Sequence, residues 1–274
     1  MSNRSTEKFL EVKDRAFDAF RKLPGVHTVG LGRKEIAGHS GDDLAIRVFL
    51  SRKKPLTALD RSERIPPFYE GIPTDIVEEA PPRLTVNGIA GTTDVIRART
   101  DEHRYRALRG GTQVQRKGKT AKGTMGCFAT AGNRVFGLTN HHVVFDGPNV
   151  PFVPHRVGQP TDKESCSGCT TDLFGTLAGD ANTNGAVDIV LIQLDAGQKW
   201  RADVEGVGNI TGMRSLTLAE AQMRTLEMQK RGRSSGHTGG ILWDFACNTT
   251  IAGRTYVNLH RIMAHNDPVN LAGP

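Results

Sequence analysis

The sequence predicts a mainly β protein, in which a large β-rich region follows a small α/β domain. From about Gly110 onward, short apolar runs are separated by Gly, Asn, Asp and Pro at intervals of roughly ten residues, which is typical of an all-β sandwich or barrel. Before that point, one helical pattern and a few strand-like runs indicate a helix laid over a small sheet. We therefore expect an α/β domain at residues 1–85, a linker at 86–109 and a β domain at 110–274.

The helical pattern lies near the N-terminus. Apolar residues recur at steps of three and four between Thr6 and Leu23, which predicts an amphipathic helix, and Pro24-Gly25 ends it. Strand-like runs follow, and a cluster of turn residues at 38–43 separates the first two. These runs are Val26–Leu31, Leu44–Leu50 and Thr74–Glu78.

The β-rich region contains one short helical pattern, from Thr217 to Arg224, among apolar runs of strand length. The candidate strands are Thr124–Thr130, Arg134–Thr139, Leu173–Leu177, Ala186–Leu194, Glu227–Arg231, Gly240–Ala246 and Thr255–Ile262.

The net charge of +7 is concentrated in one stretch, which bears on the kind of partner to expect. Seven cations and no acid lie between His103 and Gly123, so this stretch alone accounts for the excess. Such a cluster can hold phosphate, but single-strand binding also calls for interleaved aromatic residues, and Tyr105 is the one aromatic residue there. We therefore expect a solvated hairpin rather than a nucleic-acid contact.

The sequence contains no apolar run approaching the roughly 20 residues needed to span a bilayer. Residues 1–23 are charged throughout and lack the apolar region of a secretion signal, so we expect a cytoplasmic protein without a membrane contact.

Four cysteines are present, at 127, 166, 169 and 247. Cys166 and Cys169 have the spacing of half a zinc site or of a redox pair, but no second close pair of ligands follows. Free thiols are the favoured interpretation, with a local disulfide and a metal site as alternatives. We expect no cofactor and no metal.

Two stretches carry the residue types of nucleophilic catalysis. Leu138 to Val144 reads Leu-Thr-Asn-His-His-Val-Val, so an imidazole lies just past the end of a candidate strand. Further along, Asp188 directly precedes the apolar run Ile-Val-Leu-Ile. Taken alone, such a histidine is most often a surface or core residue, and such an aspartate caps a strand.

Together, these stretches resemble the histidine motif and the aspartate strand of trypsin-like and HtrA-like serine peptidases. The family's order of histidine, aspartate and serine agrees with His142 preceding Asp188. The family motif places the catalytic histidine directly before Val-Val, which selects His142, whereas His141 stands where the family usually has Ala or Asn. The resemblance covers about 110–274, and is greatest to bacterial trypsin-like proteins with a small α/β domain in front.

The resemblance implies a two-barrel fold, a peptide or protein substrate and defined roles for the two residues. A serine hydroxyl needs a base in hydrogen-bond contact, and neutral imidazole, with a reference pKa of about 6.5, suits that task. His142 would be this base. Asp188 would accept a hydrogen bond from the other ring nitrogen and stabilise the imidazolium formed during attack.

The family's nucleophile motif, Gly-Asp-Ser-Gly, is not found in the 274 residues. We expect the serine beyond Pro274, a second barrel that is incomplete within this chain, and unpaired strand edges that a complementing segment would cover. The chain alone would then be inactive. Ser234 and Ser235 precede the expected nucleophile loop, and Cys247 lies beside an apolar strand, so none is predicted to replace the serine. The alternative function is a peptide- or protein-binding module on a degenerate peptidase fold.

Overall fold

The computed structural model describes residues 3–36, 39–83, 101–145, 150–163, 171–180 and 187–264. The chain is mainly β, as the sequence predicts. It forms two compact units, which are described separately below. The first unit comprises Met1–Arg83, Arg214–Met228 and Gly240–Pro274, and the second comprises Leu84–Met213 and Gln229–Gly239.

The helices and strands are numbered in chain order. The helices are α1 (Asn3–Phe20), α2 (His141–Phe145) and α3 (Leu218–Met223). Two short 3-10 helices lie at Leu56–Ala58 and Arg61–Glu63. The strands are β1 (Val26–Ile36), β2 (His39–Leu50), β3 (Phe68–Tyr69), β4 (Ile72–Glu78), β5 (Leu108–Gly110), β6 (Gln113–Arg116), β7 (Lys122–Thr124), β8 (Cys127–Ala131), β9 (Arg134–Thr139), β10 (Arg156–Gly158), β11 (Leu173–Asp180), β12 (Val190–Leu194), β13 (Trp200–Val204), β14 (Gly208–Asn209), β15 (Glu227–Gly232), β16 (Gly236–Ile251) and β17 (Arg254–Ala264).

In the first unit, α1 packs on the sheet through one apolar face. Val12, Ala16 and Phe20 are buried on this face, at the helical spacing seen in the sequence, and they join a core with Val29 and Ile46 of the strands. The helix ends close to the predicted stop. Gly25 continues the chain with φ of 80°, a conformation that suits glycine because it has no Cβ. The predicted arrangement of a helix over a small sheet is present here.

The sheet of the first unit has the strand order β15-β16-β1-β2-β4-β3, and β17 pairs with β16. Strands β2 and β4 are parallel, and β1 is antiparallel to both of its neighbours. The pairing of β16 with β1 sets Thr28 opposite Thr249 and Leu31 opposite Phe245. Residues 240–264, which the sequence pattern groups with the β-rich region, therefore share a sheet with the N-terminal strands.

A buried ionic network lies in the same unit, centred on Arg47, which is 1% exposed. Its guanidinium lies 2.9 Å from a carboxylate oxygen of Glu35, 3.0 Å from Asp244 and 3.4 Å from Asp75. Arg261 adds a second cation, 3.0 Å from Asp244. Burial raises the pKa of Asp244 even though both arginines oppose that shift. The network links β1, β2 and β4 with β16 and β17, because each member comes from a different strand.

The second unit is built on an antiparallel sheet with the strand order β7-β6-β10-β11-β12-β9-β8. A smaller sheet, β14-β13-β5, accompanies it. The core of this unit includes Val114, Val157, Phe174, Val190 and Ile192, which are all almost fully buried. Several of these strands are only three or four residues long and were not predicted, because so short a run shows little alternation.

The basic stretch of the sequence forms β5, β6 and β7 of this unit. Strands β6 and β7 pair as a hairpin, but the prediction that it is solvated is wrong for β6, which is buried along its length between β7 and β10. Arg109 binds the carboxylates of Asp203 and Glu205, and Arg104 lies 2.8 Å from Asp172. These ion pairs neutralise part of the local charge, so the stretch is less basic in the fold than in the sequence.

None of the helices within the described part of the chain combines the length and the apolar character needed to cross a membrane.

Candidate active site

The two histidines lie at the end of strand β9 of the second unit. Strand β9 runs directly into α2, a single helical turn that begins at His141. Strand β12 pairs antiparallel with β9, and Val190 lies opposite Thr139. In an antiparallel pair, a step of two residues back from Val190 on β12 matches a step of two residues forward from Thr139 on β9. Asp188 is therefore brought to the start of α2. The strand pairing thus brings together residues that are far apart in the chain.

The structure places His142 and Asp188 in direct contact. The ring nitrogen Nδ1 of His142 hydrogen-bonds with Oδ2 of Asp188. The backbone N–H of His142 donates to the other carboxylate oxygen, Oδ1, at 3.0 Å. Both side chains are largely buried, with 9% of the histidine side chain and 10% of the aspartate side chain exposed. Two bonds from one residue to both oxygens fix the orientation of the carboxylate relative to the ring.

The carboxylate of Asp188 is held in its ionised form. Burial alone would raise its pKa, but the hydrogen bonds from the ring and backbone of His142, with the charges of both histidines, outweigh burial and lower it. An ionised carboxylate only accepts hydrogen bonds, so Nδ1 of His142 carries the proton and donates. In the neutral form of this tautomer, the free lone pair is on the other ring nitrogen, Nε2. Within the described residues, no group hydrogen-bonds to Nε2.

His141 makes a separate pair. Its ring is fully buried, stacks on Phe145 with 4.5 Å between the ring centroids, and has Nε2 3.2 Å from Oδ2 of Asp180. Of the two adjacent histidines, His142 contacts Asp188 and His141 packs into the core. The catalytic role that the motif gives to His142 stays a prediction.

Two residues of this cluster were not found from the sequence. The side-chain amide of Asn140 donates to the backbone oxygen of Asp188 at 3.0 Å and lies 3.5 Å from its Oδ2. The position of Asn140 directly before the two histidines was the sequence feature from which this contact could have been predicted. Asp180, the partner of His141, lies at the end of β11, and no sequence spacing links it to the histidine motif.

The hydroxyls of Ser234 and Ser235 and the thiol of Cys247, the alternative nucleophiles, do not contact His142 in the described structure. Ser235 Oγ accepts a hydrogen bond from Lys230 at 2.8 Å, and Ser234 Oγ accepts one from Arg233 at 3.2 Å. Cys247 is buried in β16, and burial raises the pKa of its thiol. Within the described part of the chain, no serine hydroxyl or cysteine thiol hydrogen-bonds to the ring of His142.

The structure describes one of the three remaining cysteines. Cys127 is a free, partly exposed thiol whose pKa is raised by burial. Cys166 and Cys169 lie outside the described residues, so the alternatives raised for them stay predictions.

The geometry of the pair permits one kind of chemistry. An imidazole whose Nδ1–H is bonded to a buried carboxylate presents an unprotonated Nε2, and it can accept a proton there and hold the resulting charge against the carboxylate. The same arrangement supplies neither a nucleophile nor donors for a developing oxyanion. The pair by itself therefore accounts for proton transfer and not for nucleophilic attack.

Comparisons with known proteins give matches among solved structures alone. No protein-family model matches the chain, and no curated protein matches it. The chain is similar to a glutamic acid-specific serine protease, with 14% identity, 57% of this chain and 72% of that chain covered, and a TM-score of 0.42. It is also similar to protease A of Thermobifida fusca (16% identity, 58% and 71% covered, TM-score 0.41) and to an α-lytic protease homologue, N4 (15% identity, 59% and 74% covered, TM-score 0.40).

Proposed function

We propose that this chain supplies the base and the orienting acid of a trypsin-like serine endopeptidase. The observation that carries the proposal is the contact of His142 Nδ1 with Asp188, made while the backbone N–H of the same histidine binds the second carboxylate oxygen. His142 is the general base. Asp188 holds its tautomer and stabilises the imidazolium.

The reaction assigned to the pair is the hydrolysis of a peptide bond. The serine hydroxyl transfers its proton to Nε2 of His142 as its oxygen attacks the scissile carbonyl carbon. The imidazolium then gives that proton to the leaving amine as the carbon–nitrogen bond breaks, and an acyl-enzyme remains. Water, deprotonated by the same nitrogen, then attacks the acyl carbon, and the proton passes to the serine oxygen as the ester bond breaks, which releases the acid product and restores the enzyme. Asp188 stays ionised throughout, which its lowered pKa favours.

The nucleophile is assigned to a serine that follows Pro274. The reasons are the order of roles in the family that the sequence resembles and the lack of a Gly-Asp-Ser-Gly motif within residues 1–274. On this proposal, a polypeptide of residues 1–274 alone is inactive, and a peptide or protein is the substrate of the complete protein.

The test compares two histidine variants of the complete protein. We expect His142→Ala to reduce kcat for peptide hydrolysis by about a millionfold, because loss of the base disables the serine. His155→Ala is the matched control, since His155 lies in the same unit and none of its described contacts involves the site; it should leave kcat within about twofold.

Turnover that survives His142→Ala would refute the assignment of the base. A complete, folded wild-type protein that binds peptides without cleaving them would instead favour the binding-module alternative.

A further inference from the structure

A cavity of about 340 Å³ lies in the first unit, whereas the histidine pair belongs to the second. It is open to the surface at one end of the sheet, where α1 leads into β1 and where β2 ends. Aliphatic side chains form most of its wall: Leu23, Val26, Leu50, Leu59, Ile65 and Ile76. Such a volume lies at the low end of the range for small-molecule sites, which is about 300–1,000 Å³.

Residues 52–65 form the outer wall of the cavity. The side chain of Arg64 holds this segment in place by donating hydrogen bonds to the backbone oxygens of Leu56, at 2.9 Å, and Leu59, at 3.0 Å. The backbone N–H of Lys53 donates to a carboxylate oxygen of Glu78 at 2.8 Å. The segment therefore holds the cavity open without help from a ligand.

Three consecutive cations, Arg52, Lys53 and Lys54, line one side of the cavity. In the part of the chain that the structure describes, no carboxylate lies within ion-pair distance of their side chains. The one acid of the lining, Glu63, already accepts a hydrogen bond from the backbone N–H of Asp60. The lining thus combines an aliphatic interior with three cations and one carboxylate, so its net charge is positive.

We propose that this cavity binds a straight-chain aliphatic carboxylate of medium length. The chain lies among the leucine and isoleucine side chains, and the carboxylate faces Arg52, Lys53 and Lys54. If each carbon or oxygen atom with its hydrogens takes about 30 Å³, the cavity has room for a chain of roughly eight to ten carbons with its carboxylate. Burial of the chain supplies affinity, and the cations select an anionic head group.

An extended peptide fits this site less well. Peptides that add to a sheet need a strand with a free edge. Two of the strands that border the cavity, β1 and β2, have a strand on both sides, whereas β3 pairs with β4 only at Ile72 and Pro73. A peptide would also bring backbone amides against a mostly aliphatic wall, where they would lack partners.

The first experiment is isothermal titration calorimetry of the protein with sodium decanoate, kept below the concentration at which it forms micelles. We expect saturable binding that weakens as salt is raised, with 1-decanol at least tenfold weaker and butanoate without measurable binding. Decanol that binds as tightly as decanoate would refute recognition of the head group. A short apolar peptide with a free C-terminus that binds more tightly than decanoate would refute the choice of ligand.

The second experiment locates the site with variants that leave the fold in place. The triple change Arg52→Ser, Lys53→Ser and Lys54→Ser should weaken decanoate binding about tenfold or more. Its matched control replaces three exposed cations of the same unit that lie outside both the cavity lining and residues 52–65: Lys8, Arg21 and Arg83, each changed to serine. This control should stay within about twofold of the wild type.

A further variant, Leu56→Glu, places a negative charge at the mouth, on a side chain that is already 65% exposed, and should also weaken binding about tenfold. Unchanged affinity in both the triple variant and Leu56→Glu would overturn the proposed site.

Discussion

Replacing Asp188 with asparagine tests the central pair without changing its shape. In the folded protein, the carboxylate accepts from Nδ1 of His142 and, at 3.0 Å, from the backbone N–H of the same residue. Asparagine has one acceptor oxygen and one NH₂ group. It can satisfy the backbone N–H or the ring N–H, but not both. The ring should therefore change tautomer, so that Nδ1 accepts from the new amide and Nε2 carries the proton.

The magnitude follows from the bond that is lost. One charge-assisted hydrogen bond to a largely buried carboxylate contributes about 1.5–3 kcal/mol to the free energy of unfolding. With a urea slope of about 1–3 kcal/mol per molar, a loss near 2 kcal/mol should lower the unfolding midpoint by about 1 M. In the complete protein, the wrong tautomer should lower kcat by about 10⁴-fold.

The effect on stability should depend on pH in a defined direction. The folded-state pKa of Asp188 is lowered, so its contribution is fully present above the ordinary aspartate pKa of about 3.9 and is lost as the pH falls through the folded value. The difference in unfolding free energy between the wild type and Asp188→Asn should therefore be large at pH 7 and shrink below about pH 4.

Two measurements check this prediction on the same samples. Nitrogen-15 NMR of the His142 ring reports which nitrogen is protonated, and urea unfolding reports stability at pH 7 and pH 3. Asp180→Asn is the matched control, because Asp180 pairs with the neighbouring His141 and should leave the tautomer of His142 unchanged. An Asp188→Asn protein with the proton still on Nδ1 and an unchanged midpoint would refute the reasoning.

The remaining predictions concern the first unit. Arg47→Met should lower the unfolding free energy by about 3–5 kcal/mol in urea, because it leaves Asp244 and its neighbours buried without their shared cation. The partly exposed Arg33→Met should cost far less, and equal costs would contradict the role given to the network. Gly30→Ala should cost about 1–3 kcal/mol, because its new Cβ would meet the sulfur of Cys247 across the β1–β16 pair. Cys247→Ala in the Gly30→Ala background should recover much of that loss, and simple additivity of the two changes would argue against this pairing.

Local patterns in the sequence were enough to find most of the regular structure. The apolar spacing that predicted a helix over 6–23 corresponds to α1, and Arg134–Thr139 coincides with β9. The predicted helix at 217–224 corresponds to α3, where Thr217 and Glu220 form a capping box. These predictions succeed because side-chain periodicity and capping act over a few residues. Long-range pairing has no such local signal.

At the site, too, local sequence signals and long-range pairing contribute different information about His142 and His141. The motif selected His142, but the contact with Asp188 depends on the register of β9 against β12, in which Val190 lies opposite Thr139. The contact of Asp180 with His141 likewise depends on the tertiary structure, and no sequence pattern predicted it. In the sequence, the basic stretch likewise has no acid within it. In the fold, Arg109 binds Asp203 and Glu205, which lie some 95 residues away in the chain.

The amino-acid sequence by itself determined the mainly β class, the positions of the longer strands and of two helices, and the two residue types that could act together. The tertiary structure decided which strands pair, that β16 joins β1, and that His142 and Asp188 share two hydrogen bonds. The physical reason is that apolar periodicity specifies which face of a strand is buried, but not which other strand covers its hydrogen-bonding edge. That choice depends on packing and buried charge across the whole unit.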